Sequence, residues 1–324
     1  MMKVGIVGGA GYTAGELIRL LINHPEVRVE SIFSTSQAGK TVDSVHQDLV
    51  GETDLVFSDK LETHLDVVFL CLGHGNSKTF LQGNDLGTAK IIDLSNDFRL
   101  SKDANFDKME FLYGLPELNL EKIKEAHAIA NPGCFATAIQ LALLPLASGS
   151  HLKDDVHINA ITGSTGAGQS LSATTHFTWR NNNVSVYKAF NHQHLGEIGE
   201  SLKSLQANFD HSLHFIPMRG SFTRGILATA YTSTSLELDE IKILYENYYE
   251  QSAFTSVSDS AIHLKQVVNT NKCLLQVGKH GDQVLITSII DNLLKGASGQ
   301  AIENMNLMFG LNQQTGLKLK ANYF

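Results

Sequence analysis

Residues 3–21 read KVGIVGGAGYTAGELIRLL: a short β-branched run, a burst of glycine, then apolar residues at helical spacing. Few arrangements fit such a segment. Residues 3–8 have the length and composition of a buried strand, and residues 14–23 predict a helix with Leu17, Ile18, Leu20 and Leu21 on one side. The turn between them has no strict G-x-G-x-x-G spacing; Gly8, Gly11 and Ala14 give G-x-x-G-x-x-A instead. Small residues at the mouth of a helix let backbone N–H groups approach an anion, so a nucleotide phosphate is the ligand such a turn suits. The candidate contacts are Gly8, Gly11, Tyr12, Thr13 and Ala14, and the competing reading is a tight turn with no ligand.

Further along, residues 27–33, 66–72 and 90–94 read as strands. Strands alternating with helices imply a parallel sheet covered on both faces, so the first ~130 residues are read as a Rossmann-like unit. After about residue 150 the pattern changes. Residues 157–162, 213–217, 225–232, 262–268, 274–277 and 284–290 read as strands, with helices near 195–207 and 239–250. This predicts a second, α+β domain on a mixed or antiparallel sheet. A last helix over about 299–309 is expected to pack back on the first domain. The fold class is therefore α/β, with domains expected at 1–133 plus 297–324 and at 134–296.

The net charge of −8 comes with no basic block, which sets nucleic acid aside as a partner. The longest apolar stretch, 139–147, is too short for a membrane span, and glycines interrupt the N-terminal apolar run that a signal peptide needs. Three widely spaced cysteines, Cys71, Cys134 and Cys273, suit a reducing cytoplasm and offer no zinc-ligand spacing. No metal is expected.

The second strand ends in Ser34-Thr35-Ser36-Gln37, with Lys40 close behind. An acid at that position would engage the ribose diol of NAD. Hydroxyls and a cation suit a 2′-phosphate, so Ser34, Ser36 and Lys40 point to NADP, against the reading of an ordinary polar loop.

Asn131-Pro132-Gly133-Cys134 leads into a strongly apolar run. Pro and Gly mark a sharp turn. Cys134 then opens a helix, where the dipole and unpaired amides favour thiolate. Cys71, among Leu70 and Leu72, reads as a core residue. His192-Gln193-His194 precedes a helical pattern, with Glu197 three residues beyond His194 on the same face. A histidine held by a carboxylate can act as general acid or base; a surface pair at a helix cap is the alternative. Arg219 and Arg224, two of six arginines, lie in one short segment that could clamp an anion or be solvated loop charge. Arg99 follows the strand 90–94, at the edge where ligands bind in such sheets.

Taken together, the segments GGAGYTAGELIRLL (8–21), IIDLSNDFRL (91–100), YGLPELN (113–119), ANPGCFATA (130–138), HQHLGEI (192–198), RGIL (224–227) and DNLLKGASGQAIENMNLMFGL (291–311) resemble the N-acetyl-γ-glutamyl-phosphate reductases of arginine biosynthesis. The resemblance covers the whole chain in the family's order. It implies the semialdehyde-dehydrogenase architecture, NADP as cofactor, a homo-oligomer, Cys134 as nucleophile and His194, with Glu197, as acid/base. It further implies that Arg99 and Asn131 hold the leaving phosphate, Arg224 the substrate carboxylate, and Asn292 the nicotinamide end. Gly73, Gly166 and His192 are added as cofactor or substrate contacts.

Three departures stand out. Thr35 replaces a common Arg, Gly73 replaces a Pro, and Gln169 replaces an Arg. The last removes a charge from the substrate domain and opens the choice of acyl group to N-succinyl or carrier-linked glutamate. An aspartate-semialdehyde dehydrogenase-like enzyme and a non-catalytic NADP-binding sensor are the rival readings.

Overall fold

The computed structural model describes residues 1–324 and divides them into two compact units: 1–132 with 297–318, and 133–296 with 319–324. In the first unit β1 (Met2–Val7), α1 (Tyr12–Leu21), β2 (Val27–Phe33), β3 (Phe57–Ser58), β4 (Val67–Leu70), α2 (Asn76–Gly83), β5 (Lys90–Asp93), β6 (Asn105–Phe106), β7 (Met109–Tyr113), α3 (Pro116–Glu125) and β8 (Ala128–Ala130) follow in order. The eight strands lie side by side as β3-β2-β1-β4-β5-β8-β7-β6, parallel except for the β6–β7 hairpin. The chain winds outward from β1 through β2, then returns to β4 on β1's other side. The carboxyl ends of β1 and β4 therefore flank a topological switch point, where sheets of this kind bind ligands. Val7, Val68, Leu70, Ile91, Ala128 and Ala130 fill one core layer, on which Phe98 and Phe111 stack 3.9 Å apart.

The second unit holds α4 (Cys134–Ser148), β9 (Val156–Thr162), α5 (Phe177–Arg180), β10 (Ser185–Val186), α6 (His194–Leu205), β11 (Leu213–Arg219), β12 (Ile226–Ser233), α7 (Leu238–Tyr249), β13 (Thr255–Val257), β14 (Cys273–His280) and β15 (Gln283–Ile290). The sheet runs β10-β11-β9-β12-β15-β14-β13 and is mixed. Its strands alternate. Val156, Ile158 and Ala160 are buried on one side, while Ile161, Met218, Leu227, Leu274 and Leu285 are half-buried on the other. Chain then returns to the first unit as α8 (Gly299–Met308).

Helix α4 shows how the core is assembled. Every residue from Phe135 to Ala147 is buried, as expected of a helix apolar all round. Pro145 sits inside it and has no N–H for the carbonyl of Leu141, four residues back. The hydroxyl of Tyr249 on α7 donates to that carbonyl at 2.6 Å, and Tyr245 donates to Ala142 O at 2.5 Å. Two tyrosines thus dock α7 on the polar seam that the proline opens.

Two expectations are corrected. Residues 262–268 are not a strand; Leu264–Gln266 is a 3-10 turn closed by His263 N donating to Gln266 Oε1 at 2.7 Å. The reason is local: a capping box, in which the His263 and Gln266 side chains each meet the other's main chain, closes the segment as a turn. Residues 319–324, expected with the first domain, group with the second unit, where Asn322 N donates to Val268 O. No helix is long and apolar enough to cross a membrane.

His24 illustrates a buried polar group of the first unit. Its Nδ1 accepts from Glu26 N and its Nε2 meets Asn306 Oδ1 at 3.1 Å; Asn306 Nδ2 donates to Gln313 and Thr315 carbonyls, so Nε2 carries the proton. Burial holds the imidazole below its ordinary value, against the pull of Asn306 and Glu26.

Removing the Tyr249 hydroxyl leaves a buried carbonyl unmet, so Tyr249→Phe is expected to destabilise by about 1–3 kcal/mol in urea unfolding. For His24, the folded protein resists protonation while the unfolded chain accepts it below about pH 6.5. Its contribution is therefore lost as pH falls below that value, and His24→Gln is expected to flatten the decline of the urea midpoint between about pH 7 and 5.

Candidate active site

The first unit carries the nucleotide half. Gly8 has φ +81 and Gly9 follows; both amides donate to Phe33 O. A Cβ on Gly8 would lie 2.6 Å from Cys71 O, and one on Gly9 2.4 Å from Ile32 Cγ2, so only glycine fits. At Gly11 the nearest atom to such a Cβ is 4.0 Å away, leaving open space before α1. No side chain caps α1 and no acid occupies its first turn. This N-terminus therefore suits a diphosphate. Tyr12, Thr13 and Ala14 form that first turn. Thr13 hydrogen-bonds the Cys71 thiol, and burial, then the Asp93 carboxylate, push the thiol well above its ordinary value. Cys71 stays protonated.

Ser34, Ser36 and Lys40 lie together on the loop after β2. Ser34 is buried and its amide donates to Ser58 O; Ser36 and Lys40 are exposed, with Lys40 Nζ 3.0 Å from Gln37 Oε1. Gly73 follows β4 at the switch point. Asp97 closes α2 from outside: Oδ1 accepts Gly75 N at 2.6 Å, and Oδ2 accepts Ser77 N and Lys78 N. Of the two helix mouths there, α2 is closed by a carboxylate and α1 is not.

Arg99 and Asn131 also stand at strand ends in this unit, but much of their polarity is engaged. Arg99 donates to Asn131 O at 2.8 Å and to Leu94 O at 2.9 Å. The Asn131 amide spans Ala297 O and Asn304 Nδ2 at 3.1 Å each.

The cluster around Cys134 lies in the second unit. Gly133, extended at φ −72 and ψ 150, precedes α4, and Cys134 is its first residue. The N-cap residue offers no side-chain cap and no acid lies in the first turn, so the opening amides of the helix lie at Cys134. Glu197, one turn into α6, reaches back: Oε2 accepts Gly133 N at 2.9 Å, while Oε1 lies 3.9 Å from His194 Nε2. The imidazole of His194 sits directly on Gly133, where a Cβ would fall 2.3 Å from Nε2. Cys134 is walled from another side by Gly296, where a Cβ would fall 2.8 Å from Cys134 Cβ.

His192 is buried beside them. Its Nδ1 accepts His194 N at 3.3 Å, and its ring meets His194 at 4.6 Å. Burial, followed by Lys188, lowers its pKa to about 4, so it is neutral with the proton on Nε2. Tyr187, which sequence reasoning did not select as a site residue, and Arg219, one of the two arginines the sequence offers as an anion clamp, complete the cluster. The Arg219 guanidinium lies 4.6 Å over the Tyr187 ring, and burial, then the Cys134 charge, raise the Tyr187 phenol to about 12. Arg219 Nε is buried without a hydrogen-bond partner, and no carboxylate pairs with this arginine. The signal for Tyr187 was slight: it lies five residues before His192.

Arg224 is differently placed. It forms a two-pronged ion pair with buried Asp291, Nε to Oδ2 at 3.0 Å and the terminal nitrogen to Oδ1 at 3.2 Å. Asn292 accepts Gly225 N at 2.7 Å and donates to Thr165 Oγ1 at 3.0 Å. Gly166 lies exposed on the turn beside Thr162. The structure thus gathers Cys134, His192, His194 and Glu197 in one cluster, and Gly8, Gly11, Tyr12, Thr13, Ala14 and Gly73 around one switch point.

Comparison with known proteins agrees with both halves. The family model described as semialdehyde dehydrogenase, NAD binding domain, matches residues 3–126, and that described as semialdehyde dehydrogenase, dimerisation domain, matches residues 134–292. An N-acetyl-gamma-glutamyl-phosphate reductase of Christiangramia forsetii is 61% identical over 100% of both chains. Enzymes of that name from Flavobacterium johnsoniae and Bacteroides thetaiotaomicron are 59% and 56% identical, also over 100% of both chains. Among solved structures, aspartate semialdehyde dehydrogenase II of Vibrio cholerae superposes with a TM-score of 0.72 at 16% identity, covering 96% of this chain and 99% of that one. The Candida albicans aspartate semialdehyde dehydrogenase, solved with NADP, gives 0.72 at 14% identity, covering 95% and 99%. With both domains matched in order and such identity along its whole length, the chain belongs to the semialdehyde dehydrogenase family, in its N-acetyl-γ-glutamyl-phosphate reductase branch.

Proposed function

We propose that the chain reduces N-acetyl-γ-glutamyl phosphate to the semialdehyde and phosphate, with NADPH as reductant and Cys134 as the covalent anchor. One observation carries the reading: an uncapped helix N-terminus at Cys134, with His194 and Glu197 packed on the preceding glycine. The same turn-to-helix placement that sharpens the thiolate supplies amides for an oxyanion.

Gly8, Gly11, Tyr12, Thr13 and Ala14 would hold the diphosphate of the dinucleotide, with Gly73 beside them. Ser34, Ser36 and Lys40 would hold a 2′-phosphate, in a loop that has no acid to repel it. When bound, the nicotinamide supplies the hydride that turns the thioester carbonyl into an oxyanion. The protein's own work is the rest. The Cys134 thiolate attacks the acyl phosphate; the C–O bond breaks, phosphate leaves and a thioester remains. After hydride addition, the amides at the start of α4 face the oxyanion. His194 lends it a proton and takes it back as the C–S bond breaks, releasing aldehyde and thiolate. Glu197 steadies the imidazolium in between. Arg219, with no acid of its own, is the cation best placed to receive an anionic group of the substrate. Gln169, exposed on the loop after Gly166, keeps an N-succinyl substrate as a second reading.

The half-buried face of the second sheet, with Ile161, Met218, Leu227, Leu274 and Leu285, suits a second copy of the chain in a homo-oligomer. The chemistry and the acidic composition fit a cytoplasmic enzyme.

Cys134→Ala is expected to abolish turnover while NADPH still binds by fluorescence titration; substantial residual activity would refute covalent catalysis. His194→Asn is expected to lower kcat by about 10²–10⁴. Phosphate-dependent NADP⁺ reduction with N-acetyl- and N-succinyl-glutamate semialdehyde tests the substrate. A clear preference for the acetyl compound removes the second reading, and equal use of NAD⁺ removes the 2′-phosphate assignment.

A further inference from the structure

We infer that Arg224 and Asp291 form a positioning pair that clamps the turn 291–296 against the nucleophile, so that Arg224 serves the active site through Asp291 and not as the anchor of the substrate carboxylate. The inference rests on Cys134 being the nucleophile, as proposed above.

Asp291 is completely buried at the end of β15. Five donors converge on its carboxylate. Oδ1 accepts Leu293 N at 2.8 Å, Leu294 N at 3.2 Å and the terminal nitrogen of Arg224 at 3.2 Å. Oδ2 accepts Asn269 N at 2.7 Å and Arg224 Nε at 3.0 Å. The backbone carbonyl of the same residue accepts Gly296 N at 2.9 Å, closing a six-residue turn. Gly296 is the residue whose missing side chain lets Cys134 Cβ approach. One residue therefore fixes both ends of the main-chain wall beside the sulfur, the near end through its carboxylate and the far end through its carbonyl. It also secures the amide of Asn269, which adopts the left-handed backbone at φ +71 that asparagine tolerates.

A buried carboxylate requires a counter-charge, and Arg224 supplies it in the two-pronged geometry that guanidinium favours. The neighbouring residues repeat the link: Gly225 N donates to Asn292 Oδ1. An arginine neutralised in this way has little net field left for a second carboxylate. Arg219, which has no acid, is not so committed.

The test uses the full-length protein with Arg224→Lys, Arg224→Met and Asp291→Asn. Two readouts are taken: the rate and pH profile of Cys134 alkylation by iodoacetamide without substrate, and kcat and KM for N-acetylglutamate semialdehyde. Misplacing a reacting group by about 1 Å is worth about 10² in rate. Arg224→Met is thus expected to lower kcat by about tenfold or more with KM within about twofold, and to alter the alkylation profile. Arg224→Lys should recover part of both, and Asp291→Asn should match Arg224→Met. If Arg224→Met does not fold, the near-isosteric Asp291→Asn carries the test alone. A KM raised about tenfold with unchanged alkylation would overturn the inference and return Arg224 to the substrate. Failure of the catalytic reading is separate: wild-type protein alkylated at Cys134 would then keep its activity.

Discussion

The hydrogen bond from the Gly133 amide to Glu197 is the contact on which the catalytic arrangement turns. It joins the first turn of α6 to the residue before α4, two helices that also pack on each other where Phe135 meets His194. Because Glu197 uses one oxygen on the amide and turns the other toward His194, a single carboxylate sets both the start of the helix that Cys134 opens and the place of the His194 ring. Burial of all three partners gives this bond weight: an unmet amide or carboxylate here would have no water to turn to.

The same economy extends through the polar interior. Helix α8 is buried along its length although it carries Gln300, Glu303, Asn304 and Asn306. Its asparagines hold backbone and partners in place: Asn304 Nδ2 donates to Gly114 O and Asn131 Oδ1, and Asn306 closes the segment 313–315. Several residues whose types suggest ligand binding turn out to maintain shape. Arg99 serves two carbonyls, and Asn292 ties Gly225 to Thr165. Arginine and asparagine are the side chains best able to meet main-chain groups in a low-dielectric interior, so their identity alone does not separate scaffold from ligand contact.

Much of the architecture was legible along the chain. Residues 27–33 came out as a strand with the same limits, and the helices opening at His194 and closing near Tyr249 lay within a residue or two of expectation. Long periodic segments carry that information themselves. The short strands Ala128–Ala130 and Thr255–Val257 did not show, because three residues hold too little periodicity and owe their form to neighbours in the sheet. The cluster around Cys134 was readable where chemistry is local: a Pro-Gly turn before an apolar helix, a histidine three residues before a glutamate. Tyr187 and Asp291 were not, and Arg219 could not be told from Arg224, since what distinguishes them is which charges lack or possess a partner across the fold.

Gly133 and Gly296 have a practical consequence. The pocket around the sulfur is bounded by main chain where not even a methyl group can be added without displacing His194 or Cys134. Such a wall cannot be carved by exchanging side chains. Substitutions that leave this wall intact must fall elsewhere, on exposed segments such as the loop around Gly168 and Gln169.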